Sequence, residues 1–151
     1  METNKILRWG VIGGLYLIPF LPLIVASQSY FPFITGKNFA FRVLVEILFA
    51  FWIILALRDK TYRFKTSGIF WSVIALVAIS SLATIFSVNP YRSFWSNYER
   101  MGGLISLLHV GAYFVVLVSV LKTKLDWLRL AFVNLGANWI IIIYGLLQLA
   151  G

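Results

Sequence analysis

The chain contains no cysteine, so disulfides and thiolate catalysis are excluded outright, and redox arguments say nothing about the compartment its loops face. Ionisable residues are scarce: 12% of the 151 residues are charged, five are acidic and one is histidine. A lone histidine with no cysteine beside it cannot build a zinc site by itself. There is no Walker or dinucleotide glycine loop, no HExxH, no GxSxG and no pair of carboxylates within one hydrophobic run. ATP hydrolysis, zinc proteolysis and serine hydrolysis are disfavoured within these residues. We expect neither a metal nor a cofactor. Internal repeats, low-complexity stretches and a linker long enough to separate two domains are also missing, so residues 1–151 read as a single domain.

What the chain has in abundance is apolar sequence, 61% of it, in uninterrupted blocks rather than in a stripe of period 3.6 backed by charges. A soluble core of this size could not absorb that surface. Five blocks, 9–26, 39–57, 68–86, 102–121 and 130–150, have the length a helix needs to cross a hydrocarbon layer about 30 Å thick. They lack the alternating ten-residue pattern of a barrel, and an open sheet in lipid leaves backbone groups unpaired. The expected fold is an all-α, polytopic transmembrane bundle of about five spans.

The formal charge of +8 is carried by 13 Lys and Arg residues that sit mainly in short connectors, where topology signals belong, so we expect no nucleic acid as partner. Lys5, Arg8, Arg58, Lys60, Arg63, Lys65, Lys122, Lys124 and Arg129 fall on one side; Lys37, Arg42, Arg92 and Arg100 fall on the other. Nine against four puts the N-terminus in the cytoplasm. The first block also resembles a signal peptide, with Val25-Ala26-Ser27 as a small-residue cleavage site, but its apolar stretch is long for that and holds Pro19 and Pro22. We read it as an uncleaved anchor, kinked at those prolines, with Gly10 and Gly14 forming a GxxxG that allows close helix approach. The last block ends at Leu149-Ala150-Gly151 without a polar tail, as if a larger membrane domain continued beyond it.

The external connector 87–101 is the most informative segment. Asn89-Pro90 suits an N-cap and first turn. A helix starting there places Tyr91, Phe94, Trp95, Tyr98 and Met101 on one face and Arg92, Ser93, Ser96, Asn97 and Arg100 on the other, the pattern of a short amphipathic interfacial helix between spans three and four, with Gly102-Gly103 as the bend after it. One reading makes the aromatics an interfacial belt and the arginines contacts to lipid phosphate. The other has Arg92 and Arg100 hold a diphosphate by charge-assisted bonds while Tyr91, Trp95 or Tyr98 faces a sugar or isoprenoid.

Within the second span Arg42 and Glu46 lie four residues apart and can pair on one helical face, roughly 6 and 12 Å below the outer end at Asn38. Ionisable groups at that depth usually face protein or a wet cavity. His109, about 10 Å into the fourth span, reads as a hydrogen-bonded packing residue rather than a proton carrier, and Asn134 and Asn138 read as interhelical glue in the fifth. The buried charges, the histidine and the aromatic connector thus gather in the outer half.

The run Ser87-Val88-Asn89-Pro90-Tyr91-Arg92-Ser93-Phe94-Trp95-Ser96-Asn97-Tyr98-Glu99-Arg100-Met101-Gly102-Gly103-Leu104, leading into a span with Leu107, His109 and Tyr113, resembles the first-half external loop of the bacterial O-antigen ligase and polymerase superfamily. The spacing of the spans around it agrees. The resemblance implies a metal-independent glycosyltransferase that moves a glycan from a polyprenyl-diphosphate carrier to an acceptor on the outer face of the cytoplasmic membrane. Members have about a dozen spans, with the main catalytic arginines and histidine on a large external loop of the C-terminal half. None of that half is in this sequence, so no catalytic residue carries over, and His109 is not equated with the family's histidine. The chain would be the N-terminal portion of such an enzyme, with Arg92, Arg100, Tyr91, Trp95, Tyr98, Arg42 and Glu46 as substrate-binding candidates and membrane lipids and a polyprenyl-diphosphate-linked glycan as partners. The alternative is a small non-enzymatic membrane subunit, of an assembly or a transporter, complete at Gly151; a transporter core would carry a second half with a similar span pattern.

Overall fold

A computed structural model describes residues 2–25, 31, 34–97 and 100–150 of the chain. The described residues form α-helices and two short 3-10 turns, with no strand among them. The helices are α1 (Glu2–Leu17), α2 (Thr35–Arg58), α3 (Gly68–Ile85), α4 (Pro90–Trp95), α5 (Leu104–Val120) and α6 (Lys124–Ala150).

Local chemistry sets most of the boundaries. Pro19 and Pro22 cannot donate to an α-helical ladder, and α1 passes at that point into the 3-10 turn Ile18–Leu23. The expected kink is thus a change of helix type. Ala26 and Ser27 of the cleavage-like tripeptide lie outside the described residues. Ser67 starts α3 by accepting from the Phe70 amide at 3.1 Å. Thr123 and Asp126 cap each other at the start of α6, the Asp126 carboxylate accepting from the Thr123 amide at 3.0 Å and the Thr123 hydroxyl accepting from the Asp126 amide at 3.1 Å. This reciprocal cap starts α6 six residues before the expected position 130, which moves Arg129 out of the connector and into the helix.

Four stretches are long and apolar enough to cross a membrane: Asn4–Leu23, Thr35–Arg58, Gly68–Ile85 and Lys124–Leu149. The fourth expected span is the shorter helix α5, whose 17 residues rise about 25 Å. It is also the most enclosed, packing against α1, α2 and α3. Val11, Ile12 and Leu15 of α1, Leu48 and Trp52 of α2 and Val116 of α5 meet in one buried cluster. Lipid tails are as apolar as these side chains, so close packing and hydrogen bonds, not water exclusion, hold such helices together. Gly14 supplies the closest approach: a methyl there would overlap Leu48 Cδ2 and lie 3.1 Å from Leu48 Cγ. The GxxxG face therefore seats α1 on α2 of the same chain.

By contrast α3 and α6 are largely uncovered by protein, with Phe70 the one buried residue of α3. Asn134 and Asn138 do not bridge helices as expected. Their amides donate to the carbonyls of Leu130 and Asn134, four residues back in α6, at 3.4 and 2.9 Å, so the nearest acceptor, on their own helix, takes the donor.

At the end where the basic connectors meet, the Asp59 carboxylate accepts from the Thr61 hydroxyl at 2.7 Å and the Thr61 amide at 2.9 Å. Those two bonds hold its pKa below the ordinary carboxylate value, with a smaller contribution from the Lys122 charge. A carboxyl whose folded pKa is depressed adds stability that is present above its unfolded value and is lost as pH falls through the folded one. Thr61→Val is expected to shrink the loss of stability seen below about pH 4, by a small amount because the carboxylate is solvent-exposed. Thermal unfolding in detergent across an acid pH series reads this out; identical acid limbs for the two proteins would contradict it.

Candidate functional site

The connector between α3 and α5 forms the site at the opposite end. Asn89 Oδ1 accepts from the Arg92 amide at 3.0 Å and Pro90 occupies the first turn, so the expected cap opens α4. The helix then stops sooner than its amphipathic pattern implies. Ser96 takes φ 65° and ψ −149°, a region that is costly for any residue with a Cβ, and Met101 takes φ 45°. Met101 therefore sits on a turn instead of continuing the aromatic face of α4. Tyr98 and Glu99 lie outside the described residues.

Both strained residues line one pocket. It has a volume of about 250 Å³ and is walled by Tyr91, Trp95, Ser96, Asn97 and Met101. Non-glycine residues at positive φ cluster where structure is held for a purpose. Here the holding groups come from below. The Arg42 guanidinium, buried beneath the turn, donates to the Met101 carbonyl at 2.5 Å and to Ser106 Oγ at 3.0 Å. Ser106 Oγ itself donates to the Met101 carbonyl at 2.8 Å. One helical turn earlier, Asn38 Nδ2 donates to the Arg100 carbonyl at 2.8 Å, while Asn97 Oδ1 accepts from the Arg100 amide at 3.2 Å.

Gly103 closes the loop against α4. A Cβ there would overlap the Phe94 carbonyl oxygen and lie 2.7 Å from the Ser93 carbonyl oxygen, so only a residue without one lets the chain enter α5 at this point.

The intrahelical Arg42–Glu46 pair expected from their spacing is not formed as an ion pair. Arg42 is drawn to the oxygens of the Met101 turn, and Glu46 Oε1 instead meets His109 Nε2 on α5 at 3.0 Å. The second ring nitrogen of His109 lies 2.7 Å from the Ile105 carbonyl. His109 is thus the interhelical packing residue its solitary position suggests, linking α2 to α5. The Glu46 side chain remains 66% uncovered. It borders an apolar groove with Phe49, Leu108 and Ala112, and these three residues also line a further apolar recess of about 380 Å³ that runs on past Trp52 and Phe70.

Of the residues singled out from sequence, Tyr91 and Trp95 line the pocket and Arg42 supports its floor, whereas Glu46 lies deeper, on the groove. Arg92 and Arg100 are exposed, and among the described residues neither guanidinium has a protein partner or lines the pocket wall. Asn38, Ser96 and Ser106 matter to the geometry and were not among the expected site residues, whereas Gly103 stands at the expected bend and proves to be a close approach to α4. Asn38 four residues before Arg42, and Ser106 three before His109, are spacings that could have signalled polar ladders on facing helices. Among the described residues no group of three His, Asp or Glu is placed to hold a metal ion.

The fold and composition together define a helical membrane protein. Compared with family models, curated proteins and solved structures, the chain matches none.

Proposed function

We propose that this chain is the N-terminal part of a glycosyltransferase of the O-antigen ligase and polymerase kind, set in a bacterial inner membrane with its N-terminus in the cytoplasm. In this reading it contributes scaffold and part of the cavity for a polyprenyl-diphosphate-linked glycan. The observation that carries it is the strained aromatic pocket on the Met101 turn, beside Arg92 and Arg100 in the chain, both exposed and with no guanidinium partner among the described residues. Aromatic faces suit sugar rings, and free guanidinium forks suit diphosphate oxygens.

Two further features agree. The apolar groove between α2 and α5 begins at Ile105, four residues after Met101, and shares Phe49, Leu108 and Ala112 with the recess bordered by α3, a path by which a prenyl tail would enter the bilayer from a headgroup held in the pocket. Lys122 meets Tyr62 and Thr61 at the other end, so the connectors after α2 and α5 gather on one side as the charge-based orientation requires.

Arg92→Ala/Arg100→Ala in the complete enzyme is expected to lower glycan transfer at least about tenfold, given ~1.5–3 kcal/mol for a hydrogen bond to a charged group. Membrane insertion and unfolding temperature should not change. Undiminished transfer by a normally inserted double variant would overturn the proposal.

A further inference from the structure

A second polar cleft lies at the end of the bundle away from the aromatic pocket, between the α2–α3 connector and the C-terminal end of α5. Thr61, Arg63, Lys65, Ser119 and Lys122 line it, and its volume is about 130 Å³, several times the roughly 30 Å³ share of one water in the liquid. Its cations are not balanced by the acids nearby. Asp59 spends its hydrogen bonds on Thr61, and Asp126 spends its own on the Thr123 amide and hydroxyl and the Lys122 amide.

The basic side chains are only partly occupied. Lys122 Nζ donates to the Thr61 carbonyl and sits 3.9 Å from the centre of the Tyr62 ring. Arg63 Nε donates to the Ala56 carbonyl at 3.2 Å. Lys65 is exposed, with no partner among the described residues. Arg8 lies close enough to act on Lys122, and its Nε is buried with no acceptor among the described residues. Burial, and then the positive charges of Lys65 and Arg8, push the Lys122 ammonium below its ordinary pKa, with Asp59 offsetting part of the effect. Like charges drawn together beside a span end are relieved by an anion.

We infer that this cleft binds a phosphate group, with Lys65 and the two terminal guanidinium nitrogens of Arg63, unpartnered among the described residues, as its main ligands and Lys122 at its wall. Its position at a span end favours the headgroup of an anionic phospholipid as the source. It is separate from the aromatic pocket and does not depend on the glycosyltransferase reading.

The test uses the full chain in nanodiscs of phosphatidylcholine alone or with phosphatidylglycerol, read by thermal unfolding and by lipid retention in native mass spectrometry. Retained phosphatidylglycerol and a raised Tm are expected for the unmodified chain, with apparent affinity about tenfold weaker for Arg63→Gln/Lys65→Gln. Lys65→Glu serves as a second variant, because Lys65 is exposed and makes no hydrogen bond or ion pair among the described residues. Arg58→Gln/Lys60→Gln removes the same charge at the same end without touching the cleft and should bind normally. In the neutral discs, inorganic phosphate is titrated against chloride at equal ionic strength; stabilisation there, lost in the same cleft variants, supports the phosphate site and assigns free phosphate as its source. No cleft-dependent stabilisation by lipid or phosphate, or an equal loss in the control variant, would overturn it.

Discussion

Gly103→Ala is expected to lower the unfolding free energy by about 3 kcal/mol, the upper part of the range for overpacking a well-packed site. The reason lies in which atoms the new methyl would meet. At Gly14 the obstacle is a leucine side chain, which has rotamers to move through. At Gly103 the obstacles are the backbone carbonyls of Ser93 and Phe94, and these are held by their own neighbours: the Arg92 carbonyl accepts from the Ser96 amide at 2.7 Å and the Ser93 hydroxyl bonds Ser87 Oγ at 2.9 Å. Relief requires α4 to lift off the start of α5, which would open the aromatic pocket as well. Gly102→Ala is the internal control, since a Cβ at Gly102 meets nothing within 4 Å. Unfolding by a denaturing detergent, followed by tryptophan fluorescence, separates the two. Equal midpoints for Gly103→Ala and Gly102→Ala would show that the close approach is not required.

Arg42→Ala is expected to cost about 2–3 kcal/mol through the loss of charge-assisted bonds from a buried guanidinium to partly buried oxygens, and to loosen the Met101 turn. Arg42→Lys should recover only part of this, because an ammonium cannot reproduce a guanidinium fork that reaches the Met101 carbonyl and Ser106 Oγ together. A double-mutant cycle with Ser106→Ala should show a coupling of about 1 kcal/mol, within the range for residues of one hydrogen-bond network. Arg92→Ala, which removes an exposed guanidinium with no partner among the described residues, is expected to stay within about 0.5 kcal/mol of the unmodified chain. This contrast separates the arginines: Arg42 positions the turn, whereas the side chains of Arg92 and Arg100 are exposed and, among the described residues, hold nothing in place. A wild-type unfolding midpoint for Arg42→Ala would remove the support attributed to it.

The parts of the architecture readable in the sequence are those governed by local chemistry. Hydropathy and block length give all-α spans, the two prolines end α1 as an α-helix, and Asn89-Pro90 opens α4. Boundaries moved where a cap outweighed hydropathy. The Thr123–Asp126 cap draws polar residues into α6, and the turn at Ser96 cuts the amphipathic face that a periodic reading carries on to Met101.

The candidate site divides in the same way. That aromatic and arginine residues of the connector lie together follows from their closeness in the chain, and the solitary histidine already suggests a packing role. Partner choice does not follow from spacing. Arg42 and Glu46 are neighbours on one helix, yet each takes a partner about sixty positions away, the Met101 turn and His109. A buried guanidinium goes to the carbonyl and hydroxyl oxygens that converge on it, and where they converge depends on how α5 docks against α2. Gly14 and Gly103 carry the same lesson, since a glycine shows in sequence only that a side chain is absent. Hydropathy, capping and charge placement act over a few residues and are written in the chain directly. Docking of remote segments decides which polar groups meet, which carbonyl fills the space at a glycine and which arginines are left for a ligand.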